Sequence, residues 1–316
     1  MLEITKKLYT MNKLYNMNKP KPFIKKLLPL LLIKNSLAQD ACIQCRCSPN
    51  KVECAGTQTN LPILLPQNTN SLDLSNTGLL GTLSGTFALN SPYLSDLVLN
   101  QNSLETIQTD AFSDSLKSLQ RLSISSNLLK SLPSSVFDRL TQLKLLDLHS
   151  NQLHFIQRWL FNGLTSLQLL DLSQNQITLI HHEAFNDVPN LVEIRLNNNK
   201  IKSLPSFPGT LDRIYLYDNP LLCDCVMKDF VKEAKEQFLP KNAVMNTDYV
   251  QCHEPPEVEA MSIFKLLNHQ FVCVKPRITQ VSDIQRVASG DLLSLECHAM
   301  GFPEPDISWL GPDGHM

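Results

Sequence analysis

Leucines recur along the chain in a fixed order, with mostly polar residues between them. From residue 69 onward the pattern L-x-x-L-x-L-x-x-N-x-L repeats. Its asparagine position falls at seven places with steps of 25, 25, 24, 24, 24 and 20 residues: Thr77, Asn102, Asn127, Asn151, Asn175, Asn199 and Asn219. One period held over so many units predicts an array of stacked structural repeats rather than a single globular core.

A phenylalanine keeps the same period, at Phe87, Phe112, Phe137, Phe161 and Phe185. Two independent landmarks with one period make a chance alignment untenable. Within each repeat the leucines alternate with polar residues, as in Leu170-Asp171-Leu172, which predicts a short strand with its leucines inside and Asp171 outside. The segment that carries the phenylalanine is then expected to return along the opposite side and to place its ring in the core.

The asparagine follows each predicted strand, where the chain must turn inside the stack. Backbone groups in such a turn have no ladder partners, and a buried amide side chain can both donate to them and accept from them. A repeat of this length buries too little apolar surface to fold alone. Neighbouring repeats must therefore stack, and both ends of the stack need covers.

The nine cysteines stand where those covers are needed. Four lie before the repeats and four after them, and one remains: Cys42, Cys45, Cys47 and Cys54; Cys223, Cys225, Cys252 and Cys273; Cys297. Two even groups favour two closed disulfide sets, although four cysteines alone allow three pairings. The spacing of the first three cysteines also suits a zinc site. The signal-like start of the chain favours disulfides over zinc.

That start consists of scattered lysines, an apolar run from Leu27 to Ile33 and the small residues Ser36-Leu37-Ala38. It predicts a signal peptide over residues 1–38, with Met17 as an alternative start that gives an ordinary signal length. No other apolar stretch approaches the ~20 residues that cross a bilayer. We therefore expect a protein that is secreted or on the outer face of the plasma membrane, with no direct membrane insertion.

The cysteine clusters with their flanking motifs resemble the caps of extracellular leucine-rich-repeat proteins. The resemblance implies an α/β solenoid with a curved parallel sheet and an irregular or helical convex side. It divides the chain into an amino-terminal cap (39–60), about seven repeats (61–221) and a carboxyl-terminal cap (222–274). It further implies disulfides Cys223–Cys252 and Cys225–Cys273 and a helix from Cys225 to Glu236. Leu221 departs from the family, where a tryptophan often follows the Asn-Pro pair.

The segment after the second cap resembles the first half of an immunoglobulin-like domain. Alternating apolar residues lead to Cys297 and Trp309, which lie where the sandwich has its inter-sheet cysteine and the tryptophan packed on it. The resemblance implies a truncated all-β sandwich over residues 275–316, with the partner of Cys297 beyond the chain end.

No nucleophile motif, phosphate-binding glycine loop or His-Glu metal motif is present. We therefore expect no enzymatic activity, no cofactor and no metal, and we interpret His181-His182 as a solvated pair on the convex side. A net charge of -2 offers no attraction for nucleic acid. The chain also has no Asn-x-Ser/Thr acceptor site, so its faces carry no N-glycan cover.

Function must then lie on the outward positions of the strands, which stack into columns on the concave side. Small polar residues dominate the amino half, from Asp73 and Ser75 to Ser123. The carboxyl half gathers side chains of the types enriched in protein interfaces. The candidate partner-binding residues are Leu145, His149, Leu169, Arg195, Arg213, Tyr215 and Tyr217. For the two tyrosines, covering the core edge beside the cap is the structural alternative.

The sequence thus predicts an extracellular module that binds a protein ligand through its concave face, in adhesion or ligand recognition. The alternative is the targeting arm of a larger extracellular haem peroxidase similar to peroxidasin, because the segment from Lys275 to Trp309 is similar to that family as well. A peroxidase domain would lie outside this sequence. The sequence does not name the ligand.

Overall fold

The computed structural model describes residues 39–40, 42, 45–54, 56, 63–84, 88–89, 92–112, 114–271, 273–281, 295–302, 305 and 307. The predicted signal peptide (1–38), Phe87 and Trp309 lie outside the described residues.

A ten-stranded sheet, hereafter the long sheet, runs through the array, and its strands follow one another in chain order. The first two strands are antiparallel and every later neighbour is parallel. The strands are Arg46–Cys47, Lys51–Glu53, Ser71–Asp73, Asp96–Val98, Arg121–Ser123, Leu145–Asp147, Leu169–Asp171, Glu193–Arg195, Arg213–Tyr215 and Val244–Met245.

The central residue of each repeat strand points into the core. Leu122, Leu146 and Leu170 are paired in direct register and are fully buried. Their neighbours on either side point outward, as a two-residue period requires. Because the strands are in direct register, the inward residues of all repeats form a uniform interior, and the outward residues form a face whose composition varies.

The return side of the array carries the phenylalanines. Phe112, Phe137, Phe161 and Phe185 are at most 1% exposed, and Phe207 continues the row into the last repeat. Three neighbouring ring pairs have centroids 5.8–5.9 Å apart. Strands in a sheet lie about 4.7–4.9 Å apart, so the repeats are spaced more widely on the phenylalanine side. This difference in spacing favours the predicted curvature, with the long sheet on the concave side.

The remaining elements are short and lie outside the long sheet. A three-stranded parallel sheet joins Gln39–Asp40, Ile63–Leu64 and Ala88–Leu89. Parallel pairs join Leu80–Leu83 with Ser103–Ile107, Phe155–Ile156 with Leu179–Ile180, and Leu221–Leu222 with Cys252–Glu254. Single 3-10 turns cover Asp114–Leu116, Leu239–Lys241, Thr247–Tyr249 and Pro256–Val258.

The turn asparagines form a ladder between neighbouring repeats. The Asn151 Nδ2 donates to the carbonyls of Ile124 (3.0 Å) in the preceding repeat and Leu148 (3.1 Å) in its own. Its Oδ1 accepts from the Leu129 N–H of the preceding repeat at 3.2 Å. Asn127 and Asn175 repeat this arrangement. One side chain thus satisfies backbone groups of two adjacent turns.

A left-handed residue precedes every member of this ladder. It has a φ of +53° to +57° in all seven turns: Asn76, Gln101, Ser126, Ser150, Gln174, Asn198 and Asp218. This conformation is unfavourable for residues other than glycine and is tolerated best by Asn and Asp. Three of these seven residues are Asn or Asp, and the asparagine ladder holds the other four turns in a backbone conformation that Gln and Ser do not favour.

Two disulfides hold the amino-terminal cap. Cys42 pairs with Cys47 and Cys45 with Cys54. They fasten an antiparallel hairpin whose second strand, Lys51–Glu53, pairs with the first repeat strand. Val52 on that strand is fully buried and covers the open end of the leucine core. Zinc is not needed to explain this cysteine group.

The carboxyl-terminal cap pairs Cys223 with Cys252 and Cys225 with Cys273, the same pairs as in the family resemblance. Its helix, α1, spans Cys225–Gln237, one residue longer than expected. Asp224 begins the helix by accepting a 2.9 Å hydrogen bond from the Met227 N–H. Phe230 on α1 packs edge-on against Phe207, which closes this end of the core.

Beyond the cap, the strands Val274–Val281 and Cys297–Phe302 form an antiparallel pair. All eight residues of the first strand are exposed, and Cys297 is half-buried and has no disulfide partner among the described residues. The described residues therefore show one strand pair here, and a second sheet of the expected sandwich is not among them.

Candidate functional site

The outward side of the long sheet, hereafter the sheet face, holds all the candidate residues predicted from the sequence. Leu145, Leu169 and Arg213 stand at the amino ends of their strands, and Arg195 and Tyr215 at the carboxyl ends. His149 and Tyr217 lie two residues beyond their strands' ends. Register places Leu145 beside Leu169 and Arg195 beside Tyr215.

Two arginines in the carboxyl half of the sheet face lie over buried carboxylates. Arg195 donates from Nε (2.7 Å) and Nη2 (2.5 Å) to Glu193, and from Nη1 to Asp171 at 3.1 Å. Arg213 donates to the other Glu193 oxygen at 2.8 Å. Glu193 and Asp171 are about 95% buried although both point outward from the sheet. Each arginine therefore first neutralises acids of its own chain.

The electrostatics of Arg195 reflect this network. Burial lowers the pKa of its guanidinium, but the hydrogen bonds to Glu193 and the charges of Glu193 and Asp171 outweigh it, and the pKa is raised. The same guanidinium lies 5.5 Å from the centre of the Tyr215 ring, within cation-π range. Arg195 is thus a fixed, permanently charged part of the face.

The two tyrosines differ in their surroundings. Tyr215 is half-buried beneath Arg195, whereas Tyr217 packs in part against the hydrophobic core near the cap. Tyr217 therefore serves partly to cover the core edge, which is the structural alternative considered from the sequence. Tyr215 is half-buried as well, but its contact is with the Arg195 guanidinium.

His149 forms a defined pair with Asp147. Its Nδ1 lies 2.7 Å from Asp147 Oδ1, which also accepts from the His149 backbone N–H at 3.1 Å. An ionised carboxylate can only accept, so Nδ1 carries a proton and Nε2 is the ring atom left for other contacts. His149 thus presents a polar edge from the middle of the sheet face.

Two clusters in the described part of the chain have ligand atoms close enough to hold a metal ion. In the first, Asp147, His149 and Asp171, both carboxylates already accept hydrogen bonds on each oxygen, from His149, Ser123, Ser173 and Arg195. In the second, Glu183 pairs with Arg158, and the His181 Nδ1 accepts the Glu183 N–H. A metal would have to displace these donors, so neither donor set is arranged for one.

An open groove of about 460 Å³ lies over the two leucines of the sheet face. Leu145 and Leu169 form its apolar floor. Its rim is polar and comprises Asp96, Gln120, Arg121, Lys144 and Gln168. The rim residues were not predicted as site residues. Only their position in the sequence marks them. Each one occupies the place that the leucines have in their repeats, or the place just before it.

The amino half of the sheet face is a network of small polar groups. The Ser123 Oγ lies 2.7 Å from Asn100 Oδ1 and 2.6 Å from Asp147 Oδ2, and its single proton can be donated to either. Asp73 Oδ1 accepts from the Ser75 N–H at 2.9 Å. These side chains satisfy one another and expose little apolar surface, which makes this half a weaker candidate for contact.

Among the described residues, no helix is both long enough and apolar enough to cross a bilayer.

The family model described as "Leucine rich repeat" matches four overlapping segments: 92–153, 117–177, 141–201 and 169–221. Together they cover the central and carboxyl-terminal repeat strands of the long sheet. The first three matches end at residues 153, 177 and 201, in steps that equal the 24-residue period of the asparagine ladder.

The chain is also similar to known proteins. The "leucine-rich repeat and fibronectin type III domain-containing protein 1-like protein" of Danio rerio and the related protein 5 of Homo sapiens are each 30% identical over 98 residues. The alignments span 31% of this chain but only 13% and 12% of those proteins. In fold, 73% of this chain superposes on 97% of human 5T4, with a TM-score of 0.52 and 24% identity. The period, the stacked strands and these matches together show that residues 92–221 form leucine-rich repeats.

Proposed function

We propose that this chain is an extracellular recognition module that binds a protein ligand through the sheet face. The names of the relatives above mention leucine-rich-repeat and fibronectin domains and no catalytic domain. The four disulfides fit an oxidising compartment. The strands after the cap fit the first two strands of an immunoglobulin-like sandwich, as the sequence resemblance implies. The peroxidase alternative gains no support from the described residues.

The observation that carries this proposal is the contrast within the sheet face. Side chains that could contact a partner gather from Leu145 to Tyr217, around an apolar groove and two exposed arginines. Aromatic residues and arginine dominate binding energy in protein interfaces. We expect Tyr215→Ala to weaken binding by about 1–3 kcal/mol and Asp73→Ala to leave it unchanged.

A glycan can test whether the sheet face binds at all. Ser123→Asn creates the acceptor Asn-Ile-Ser in the middle of the face, in a chain that has no acceptor of its own. Gln176→Asn creates Asn-Ile-Thr beyond the turn after the strand Leu169–Asp171, away from the face. Both variants are produced by a glycosylating secretory host and screened, as multimers, against a panel of recombinant extracellular domains.

Any domain bound by the unmodified chain should be lost with Ser123→Asn and retained with Gln176→Asn. Glycan occupancy is confirmed by mass spectrometry and folding by thermal melts. If the glycan on the sheet face leaves binding intact, the proposed function through this face is wrong.

A further inference from the structure

The groove over Leu145 and Leu169 shows what kind of protein segment the face is built to take, given the proposed function. Both leucines are half-buried and lie side by side in register on a solvent-facing column. The other described members of that column are Lys51, Ser71, Asp96, Arg121, Glu193 and Arg213. Two adjacent leucines among polar neighbours form an apolar floor that water covers poorly in the free protein.

Ion pairs flank the two leucines along their column. Asp96 and Arg121 also line the groove, whereas Glu193 and Arg213 follow Leu169 in register beyond it. On the amino side Arg121 pairs with Asp96, and on the carboxyl side Arg213 pairs with Glu193. The two partners of each pair are not equally accessible. Side-chain exposure is 67% for Arg121 against 20% for Asp96, and 60% for Arg213 against 6% for Glu193. The acids lie beneath and the guanidinium groups face the solvent, so a ligand meets positive charge at both ends.

Lys144 adds a third cation between them. It is exposed, lies on the groove rim, and bonds through Nζ to Gln120 Oε1 at 3.1 Å. It forms no ion pair with the residues that the structure describes. The main chain beneath it is fixed, because the Gln120 carbonyl accepts from the N–H groups of both Lys144 and Leu145. The cation is therefore free for a ligand while its base is rigid.

We propose that this groove takes an extended segment of the protein partner in which a large apolar side chain is flanked by carboxylates. The apolar side chain covers Leu145 and Leu169 and releases their hydration water. The carboxylates pair with Lys144 and with the outward guanidinium groups of Arg121 or Arg213, whose planar donors suit a carboxylate. The arrangement excludes a basic segment, because it would meet three exposed cations.

The test uses labelled synthetic ten-residue peptides and fluorescence anisotropy. One peptide has the repeating order Asp-Ser-Leu-Ser, so that its aspartate and leucine side chains share one face of an extended chain. A second peptide replaces the leucines by serine, and a third replaces the aspartates by lysine. The acidic apolar peptide should bind at least about tenfold more tightly than either of the others, and more weakly as salt rises. Comparable binding of the serine or lysine peptide, or no binding of the acidic apolar peptide, would overturn the proposal.

Variants place the binding in the groove. Lys144→Glu and the double variant Leu145→Ser, Leu169→Ser should each weaken binding of the acidic apolar peptide about tenfold. Lys130→Glu, which makes the same charge change outside the groove, should leave it unaltered, as should Ser125→Ala on the same face. Melting curves confirm that the double variant folds, and unchanged affinity in both groove variants would again overturn the proposal.

The glycan experiment separates this inference from the proposed function. If a natural partner is lost with Ser123→Asn but binds the groove variants normally, the sheet face is the binding surface and the groove is not its anchor. If the glycan has no effect on that partner, the proposed function fails with the inference.

Discussion

The interior of the repeats and the sheet face are built from the same strands yet differ in how regular they are. Inside, the central repeats share one plan, with a leucine or isoleucine at the strand centre, an asparagine in the turn and a phenylalanine on the return side. Outside, neighbouring residues of one column range from Asp96 through Leu145 to Arg213. Stacking constrains the interior because every unit must fit the next. The outer face is free of that constraint and can specify a partner.

If the repeats are equivalent inside, asparagines at the same turn position should contribute equally to the free energy of unfolding. Asn151→Ala removes bonds to the backbone groups of Ile124, Leu148 and Leu129 in a buried turn. We expect a loss of about 2–4 kcal/mol in the free energy of unfolding, since each buried group left unpaired is costly. Urea unfolding of Asn151→Ala and Asn175→Ala should give similar losses.

The control is Asn162→Ala, an exposed asparagine on the return side, which should change stability by no more than about 0.5 kcal/mol. Losses that differ widely between Asn151 and Asn175 would contradict the equivalence of the repeats.

A glycine marks one place where the interior is not uniform. Gly163 has a φ of +79°, and a Cβ there would lie 2.6 Å from the Asp138 carbonyl oxygen of the preceding repeat. Gly163→Ala should therefore lower the free energy of unfolding by about 1–3 kcal/mol. Gly209→Ala, where the new Cβ meets only a Gln237 side-chain oxygen at 3.4 Å, should be neutral or slightly stabilising. Equal effects in chemical denaturation would refute this account of Gly163.

The sheet face should contribute to stability at one cluster. Arg195→Ala leaves Glu193 and Asp171 buried with fewer compensating charges, and we expect a loss of about 1–2 kcal/mol. The expected loss of stability is modest because the Arg195 side chain is 41% exposed, so water can replace part of its interaction with the two acids. The double variant Leu145→Ser, Leu169→Ser should cost less. Thermal melts of the two variants rank these losses of stability. A larger loss for the double leucine variant would show that the leucines are structural.

The sequence predicted the interior well because its constraints are local and periodic. Leu146, Asn151 and Phe161 each occupy a place that the repeat dictates, and the structure buries them there. The two even cysteine groups predicted disulfides in both caps, whereas the pairing in the carboxyl-terminal cap rested on the family resemblance. The pairing in the amino-terminal cap was not predicted. The immunoglobulin-like segment is described only as one strand pair, so its sandwich stays a prediction.

The candidate site was predicted less completely because its properties depend on contacts between repeats. The sequence marks Glu193 and Asp171 as outward residues, but not that Arg195 and Arg213 cover them. The left-handed turns were also missed, since residues such as Ser126 and Gln174 carry no sequence signal for that conformation. Only the register between neighbouring strands reveals the groove over Leu145 and Leu169.

The left-handed turns give a prediction of opposite sign. Ser126 has a φ of +54°, which costs an L-residue more than glycine. Ser126→Gly should raise the free energy of unfolding by about 0.5–1 kcal/mol, after allowing for the larger entropy of glycine in the unfolded chain. Ser125→Gly, one residue earlier in a buried place, should lower stability instead. Calorimetry of the two variants measures both changes in stability. A destabilised Ser126→Gly would show that these turns are not strained.

The smallest effect should come from Asp138, a carboxyl on the return side. Its Oδ1 is buried and has no hydrogen-bond partner among the described residues. Burial raises its pKa above the ordinary 3.8, and the charge of Arg139 opposes this only in part. A raised pKa means that the folded chain holds this proton more tightly than the unfolded chain does. The carboxyl thus stabilises the fold while protonated, and that contribution is lost as the pH rises from 3.8 through the raised pKa.

Asp138→Asn removes this titration and keeps the side-chain size. The melting temperature of the variant should rise relative to that of the parent chain as the pH increases through the window just above 3.8. At pH 7 the variant should be no less stable than the parent. Asp187→Asn, an acid on the return side of a later repeat, serves as the control for a general loss of negative charge. If Asp138→Asn melts well below the parent at pH 7, the carboxylate has a partner that stabilises it, and even the interior of this array is less uniform than its period indicates.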